Sequence, residues 1–375
     1  MSASPKENSR SALKPDCRFF RGDKPCPANR QCDGCADYEP FPVRILIIKC
    51  RAQGDVLRTT ALLPALKRGH PGSFVAWLVD AESLPLLRGN PMIDRLYAFD
   101  LEGCLSLRAQ TFDVLISLDK EPGPAALAAG IRAGRKLGFG VNEYGSLAIF
   151  NPASDYAYRL GIDDDLKFRR NRKTYQEIIH EAAELPYARN EYVFVLPEGA
   201  ADKAARFFSR RRVPSGKLSI GLNTGSGEKF PTKQWPLESY ARLASLLTNK
   251  LGAGVFLLGG PREAEFNRAL ARRVRSGVYD TGSDNSLPEF AGFISRMDAL
   301  VSSDTLGMHL AIALKKRTVA LFGPTCPQEI DLYGRGVKLF AGTDCSPCYR
   351  AACPDVRCLK AITPESVFQE LRKLV

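Results

Sequence analysis

The feature that most restricts the fold of this chain is an alternation of short apolar strands with amphipathic helical stretches, written twice. It begins at Val43 and starts again after a linker near Leu185–Asn190. In the first set, RILIIKC (44–50) reads as a buried strand, VLRTTALLPALKRG (56–69) has helical spacing, and SFVAWLVD (73–80) is the next strand. SLPLLRG (83–89), RLYAFD (95–100), FDVLISLD (112–119) and GPAALAAGI (123–131) continue it. The second set runs from KLSIGLNTG (217–225) through LESYARLASLLTNKLG (237–252), GVFLLGG (254–260), REAEFNRALARRVR (262–275), VYDTG (278–282), LPEFAGFISRM (287–297), DALVSSD (298–304) and MHLAIAL (308–314) to RTVALFGPT (317–325). PESVFQELRKLV (364–375) closes the chain as an amphipathic helix. Strands alternating with helices imply a parallel sheet covered on both faces. The expected class is therefore α/β, with two doubly wound lobes facing each other and a cleft at the carboxyl ends of both sheets, where open α/β folds bind ligands.

Residues 1–41 lie outside this pattern. They are polar, rich in Pro and Cys, and without a hydrophobic period, which predicts a small appended module with no core of its own. The expected domains are 1–41, 42–190 and 191–375, the last including a cysteine-rich tail segment at 345–358. Eight of the eleven cysteines fall in two sets: Cys17, Cys26, Cys32 and Cys35 (C-x8-C-x5-C-x2-C), and Cys345, Cys348, Cys353 and Cys358 (C-x2-C-x4-C-x4-C). The N-terminus has no apolar core of a secretory signal, and the longest apolar runs fall far short of the ~20 residues of a membrane-spanning helix. The expected location is cytoplasmic, where such sets read as metal sites before disulfides. The first set is expected to hold a structural zinc or iron–sulfur centre and the second a further metal. The alternatives are reduced thiols in a tail for the first, and cysteines buried as small hydrophobes for the second.

Lysine and arginine exceed aspartate and glutamate by 53 to 41, a formal charge of +12. Such an excess favours a polyanionic partner. The basic residues form short groups (Arg169-Arg170, Arg210-Arg211-Arg212, Lys315-Lys316-Arg317) without the interleaved aromatics of a single-strand platform, so no nucleic-acid partner is expected. Nucleotide phosphates and an anionic lipid surface remain.

Four segments couple a strand end to a turn and then a helix. In RAQGDVLRTT (51–60), Gly54 permits a tight turn and Asp55 is either a helix cap or a carboxylate free to act as a general base. In NTGSGEKFPTKQWP (223–236), backbone amides of the small-residue loop can cradle an anion, with Lys229 and Lys233 as point charges; a polar loop with solvated lysines is the plainer reading. In LLGGPREAE (257–265), the Gly259-Gly260 pair lets a ligand approach, and Glu263 could accept hydrogen bonds from a ribose or base. In VSSDTLGMHLAIAL (301–314), Asp304-Thr305 end a strand and a helix begins near Gly307, which aims free amides and the positive end of a helix dipole into the cleft. His309 lies in that helix's first turn. The P-loop and G-x-G-x-x-G patterns, a Ser-His-Asp ordering and H-E-x-x-H are all missing, and Asp163-Asp164-Asp165 read as a solvated loop rather than a metal motif.

Taken together, 45–66, 220–247, 255–263 and 302–325 resemble, in order, bacterial glycosyltransferase family nine, the lipopolysaccharide heptosyltransferases and their relatives; the likeness extends from about residue 43 through CSPCYRAACPDVRC (345–358) to the final helix. The resemblance implies the GT-B type of paired Rossmann-like domains, an ADP-heptose donor, inversion at the anomeric carbon without a metal or other catalytic cofactor, and a Kdo or heptose acceptor in the lipid A-linked inner core. It matches Asp55 to the catalytic base and Lys233 to the phosphate-binding lysine. It matches Asp304, Thr305, Gly307, Met308 and His309 to the donor loop and helix start, and Glu263 to the residue that reads the nucleoside. In the mechanism this implies, the amides of Thr305, Leu306, Gly307 and Met308 and the loop of Thr224, Gly225 and Ser226 hold the donor diphosphate, and the amphiphilic acceptor brings the enzyme to the anionic inner-membrane surface. The rivals are an epimerase or transferase of the same fold with another nucleotide sugar, and a non-catalytic metal- or redox-sensing relative.

Overall fold

The computed structural model describes residues 13–227, 229–274 and 276–375, so the start of the cysteine-rich segment lies outside the described residues. The first sheet contains β1 (Arg44–Ile48), β2 (Phe74–Val79), β3 (Arg95–Ala98), β4 (Thr111–Ser117), β5 (Arg132–Val141) and β6 (Leu147–Ile149), in the order β3-β2-β1-β4-β5-β6. All neighbours are parallel except β6, which runs antiparallel to β5. The second sheet contains β7 (Ser219–Asn223), β8 (Gly254–Leu258), β9 (Val278–Asp280), β10 (Ala299–Ser303), β11 (Arg317–Phe322) and β12 (Gly336–Phe340), all parallel, in the order β12-β11-β10-β7-β8-β9. Both orders reverse direction beside the first strand of their set, between β1 and β4 and between β7 and β10. Those two switch points open crevices beyond the strand ends.

Period-two alternation explains why the central strands are apolar throughout. Ile45, Ile47, Val75, Trp77 and Ile116 face one layer of helices with Val56, Leu62, Leu63 and Leu66, while Leu46, Ile48, Ala76, Leu78 and Leu115 face the other with Leu107 and Ala128. In the second sheet Ile220, Leu222, Val255, Leu257, Val301 and Val319 pack on the helices Leu237–Leu251 and Pro364–Leu374. Its opposite face, Leu258, Leu300, Ala320 and Phe322, packs on the helices Leu287–Ser295 and Leu306–Ala313. Leu57, Ala61 and Leu86 from the first half of the chain enter this same cluster, so the two halves meet through an apolar seam. Fully burying a leucine such as Leu57 contributes roughly 1.5–3 kcal/mol. Trp235 is fully buried and its indole N–H is shared between the carbonyls of Leu359 and Ile362, each at 3.1 Å, which ties the tail to the second sheet.

Residues 13–42 form turns and a single bridge, Cys17 to Pro40, with no helix or longer strand. Phe41 meets Phe74 at 4.9 Å and the Arg18 guanidinium donates to the Gly72 carbonyl, docking the segment on the edge of the first half. All eleven cysteines are free. Among the described residues no three His, Cys, Asp or Glu side chains converge on one ion position, so a single-ion site is met at neither cysteine set. At the tail set the reason is packing: Cys358 is buried in the core around Leu359, Cys348 is half-buried, and Cys345 and Cys353 are exposed. No helix among the described residues is long and apolar enough to cross a membrane.

Candidate active site

The turn after β1 is built by Asp119, which follows β4 across the first switch point. Its buried Oδ2 accepts from the amides of Cys50 at 2.7 Å and Arg51 at 2.8 Å, and Lys49 Nζ lies 3.6 Å away. Ala52 then takes a left-handed φ of 61°, and the helix Gln53–Thr59 begins. Asp55 does not cap it. Its Oδ1 pairs with Arg58 at 2.9 Å, one helical turn on, and its Oδ2 stands 3.9 Å from Lys49 Nζ. Burial works against charge on Asp55, but Arg58 and Lys49 outweigh it and hold the carboxyl below the usual carboxylate range. Arg58 is itself held by the Tyr175 ring, 3.6 Å from its guanidinium carbon, and lies 3.9 Å from Glu329, which comes from the second half.

On the facing side, β7 ends at Asn223. Its Nδ2 donates to Ser302 Oγ at 2.9 Å and to Thr305 Oγ1 at 2.8 Å, clamping the turn after β10. A Cβ at Gly307 would stand 2.6 Å from that same Nδ2, which explains the glycine. The helix Leu306–Ala313 starts there with no side-chain cap, so its first amides face the cleft. Lys233 Nζ donates to the Asp304 carbonyl and lies 4.0 Å from its Oδ2. His309 is buried, with Nε2 3.7 Å from Asp304 Oδ1 and Nδ1 3.2 Å from Tyr192 Oη. Burial, reinforced by Arg58, pulls the imidazole down to about 4, so it is neutral at pH 7.

These residues line adjoining cavities. A central one of about 600 Å³ is bordered by Asp55, Arg58, Ser226, Lys233, Thr305 and His309. It shares Gln53, Gly227, Thr305 and Leu306 with a cavity of about 290 Å³ between Gly225, Gly259-Gly260, Asn285 and Phe290. On the other side it shares Asp55, Arg58, Lys167, Lys229 and Glu329 with a cavity of about 370 Å³, walled by Phe139 and Ile178 and reached by Lys120. Burial, reinforced by Lys167, lowers Lys120 to about 8.

The structure brings the loops singled out in the sequence to one cleft, but not every side chain in them faces it. Thr224 is buried, with Oγ1 3.0 Å from the Leu258 carbonyl and 2.6 Å from Asn267 Oδ1, and Met308 lies in the core, so neither side chain reaches the cleft. Glu263 turns back to accept from the Gly260 amide at 2.9 Å beneath the glycine pair. Missed were Lys49, Arg58, Asp119, Lys120, Lys167, Glu329 and Tyr349. Arg58 had a signal, an acid–base pair at i,i+3 on one helix, and Asp119 another, a carboxylate closing an apolar strand. Glu329 closes a short 3-10 turn and Tyr349 lies in the cysteine-rich tail segment; both border the central cavity, and nothing local marks either side chain as facing it.

A family model described as glycosyltransferase family 9 (heptosyltransferase) matches residues 104–357. The chain is similar to lipooligosaccharide heptosyltransferase 2 of Haemophilus influenzae, with 26% identity over 319 residues covering 76% of this chain and 85% of that protein. It is also similar to lipopolysaccharide heptosyltransferase 2 of Escherichia coli, with 25% identity over 358 residues covering 89% and 99%. A solved family 9 glycosyl transferase from Veillonella parvula superimposes with a TM-score of 0.72 at 21% identity, covering 90% of this chain and 98% of that one. The E. coli ADP-heptose lps heptosyltransferase II superimposes at 0.65, also at 21% identity, covering 88% and 98%. The fold is shared with both structures, and the match over most of the chain settles the kinship: this protein is a glycosyltransferase and belongs to family 9.

Proposed function

We propose that the enzyme moves a heptose, or a closely related sugar, from an ADP-linked donor to a hydroxyl of an inner-core lipopolysaccharide acceptor, with inversion and without a catalytic metal. The observation that carries this reading is the place of Asp55, whose carboxylate borders both the central cavity and the one behind it, where two substrates would meet. The donor lies along residues 191–375: the nucleoside between Gly225, Gly259-Gly260 and Phe290, and the diphosphate against the amides that open Leu306–Ala313, with Lys233 beside them. The acceptor enters against residues 42–190, among Lys120, Arg58 and Lys167. Similarity to the named heptosyltransferases supports the sugar and the acceptor class.

Asp55 takes the proton from the acceptor hydroxyl as that oxygen attacks the anomeric carbon on the face opposite the diphosphate. The new C–O bond forms, the bond to the diphosphate breaks, and one such displacement inverts the centre. Charge on the departing phosphate is taken up by Lys233 and the helix amides. Arg58 and Lys49 keep Asp55 ionised, and neutral His309 leaves it without a competing proton acceptor of ordinary basicity. The +12 charge supports peripheral contact with an anionic membrane surface, where the acceptor resides.

Thermal unfolding with ADP-heptose, ADP, and UDP- and GDP-sugars tests the donor. A ligand at a hundred times its Kd adds about 2.7 kcal/mol, enough to raise Tm by several degrees. ADP and ADP-heptose are expected to give that shift; a shift confined to UDP- or GDP-sugars, or a product that is an epimerised nucleotide sugar, overturns the reading.

A further inference from the structure

The cysteine-rich segment 13–42 poses a folding problem that the transferase cleft does not answer. It has no helix, no strand beyond one bridge, and no residue in any of the protein's hydrophobic clusters. Coreless segments of this size keep a defined shape only when something staples them. No disulfide does so here.

The four thiols are nonetheless arranged. Cys17, Cys26, Cys32 and Cys35 all border one partly open cavity of about 30 Å³, together with Phe19, Phe20 and Tyr38. Each cysteine also opens a turn in which its own carbonyl accepts from the amide three residues on: Phe20 at 3.0 Å, Asn29 at 2.8 Å, Cys35 at 3.4 Å and Tyr38 at 3.4 Å. Four turns thus begin on the four sulfur-bearing residues, the last two running on through Cys35. Cys26 Sγ lies 3.5 Å from the Arg30 amide and 3.6 Å from the Arg30 carbonyl, so the turn is wrapped around this sulfur.

The sulfurs surround a space without converging on a single point, since no three ligand side chains meet at one ion position. A tetrahedral zinc, with Zn–S bonds of about 2.3 Å, would draw them together. The cavity exceeds the ~10–15 Å³ of one water-sized sphere. We propose that Cys17, Cys26, Cys32 and Cys35 ligate an iron–sulfur cluster, which staples the segment and fixes it against β2 through Arg18 and Phe41.

The test is anaerobic purification of the full chain, with iron, zinc and acid-labile sulfide measured per chain and an absorption spectrum taken, before and after reconstitution with ferrous iron and sulfide. Iron and sulfide in equal amount, at least about two of each, with broad thiolate-to-iron absorption, are expected. Cys32→Ser with Cys35→Ser should lose both, while Cys345→Ser with Cys348→Ser should keep them. Melting of each variant reports whether the two sheets remain folded, and the wild-type analysis stands without the variants. Stoichiometric zinc without sulfide, a Cys17–Cys26–Cys32–Cys35 disulfide set, less than half an equivalent of metal after reconstitution, or iron that survives the first double variant would each overturn the proposal.

Discussion

A Cβ placed on Gly54 would stand 2.6 Å from Cδ2 of His309. The helix that carries Asp55 and the helix that opens at Thr305 therefore touch backbone to ring across the seam between the two halves, and this contact sets the spacing between Asp55 and the turn after β10, where the donor is proposed to bind. Gly54→Ala forces the ring or the helix to move. Overpacking of this kind costs about 1–3 kcal/mol, and a misplacement near 1 Å at a reacting centre can cost roughly a hundredfold. The expected outcome is a lowered Tm with a disproportionate fall in kcat, read by melting and steady-state kinetics. A variant with wild-type turnover would show that the contact does not govern catalytic geometry.

Arg58 bears on the acid limb of the proposed reaction. As the proposed base, Asp55 must be ionised to accept a proton, so activity is expected to fall as pH drops through its pKa, which lies below the ordinary carboxylate range because Arg58 and Lys49 outweigh burial. Arg58→Met removes the nearer cation and leaves the burial, which acts in the opposite direction. The acid limb of the kcat/KM profile is expected to move to higher pH, with activity recovering on the alkaline side. An unmoved limb would mean that another group titrates.

Lys233 stands beside the uncapped helix start, where a point charge would meet the donor phosphates. A hydrogen bond to a charged group is worth about 1.5–3 kcal/mol, so Lys233→Met should weaken ADP binding roughly ten- to a hundredfold. Calorimetry reads it directly, and the loss should shrink with added salt. Unchanged affinity would move the phosphates elsewhere.

Trp235 tests the fold apart from the chemistry. Its indole N–H serves both the Leu359 and Ile362 carbonyls. Trp235→Phe leaves these acceptors without their donor and opens space in the core, for a loss of about 1–3 kcal/mol in denaturant unfolding. A change below about 0.5 kcal/mol would show that the tail is held by its apolar contacts alone.

The central strands were legible because each is apolar on both faces. RILII, FVAWLV and GVFLL admit no other reading once helices alternate with them. β5 escaped because Arg132, Arg135 and Lys136 and three glycines break up its apolar run, and its first half is largely exposed. β12 escaped for the same reason, being a half-exposed edge strand. The loops that form the cleft were legible as strand-to-helix turns, yet the direction of a side chain within a turn was not. Met308 and Thr224 point into the core, Glu263 folds back on its own turn, and the cap reading of Asp55 fails because Ala52 occupies the cap position and Arg58 takes the carboxylate. Such outcomes depend on which neighbour arrives from a distant segment.

The proposed chemistry rests on Asp55, and the most direct measurement is the turnover of Asp55→Asn at saturating donor and acceptor, alongside its affinity for ADP. Loss of a general base lowers rate by about 10²–10⁴ while ground-state binding is retained. The expected result is a fall of that order in kcat with ADP affinity close to wild type, whereas Asp304→Asn should weaken ADP-sugar binding. If Asp55→Asn keeps more than about a tenth of wild-type turnover, equivalent to less than ~1.4 kcal/mol of transition-state stabilisation, Asp55 is not the base.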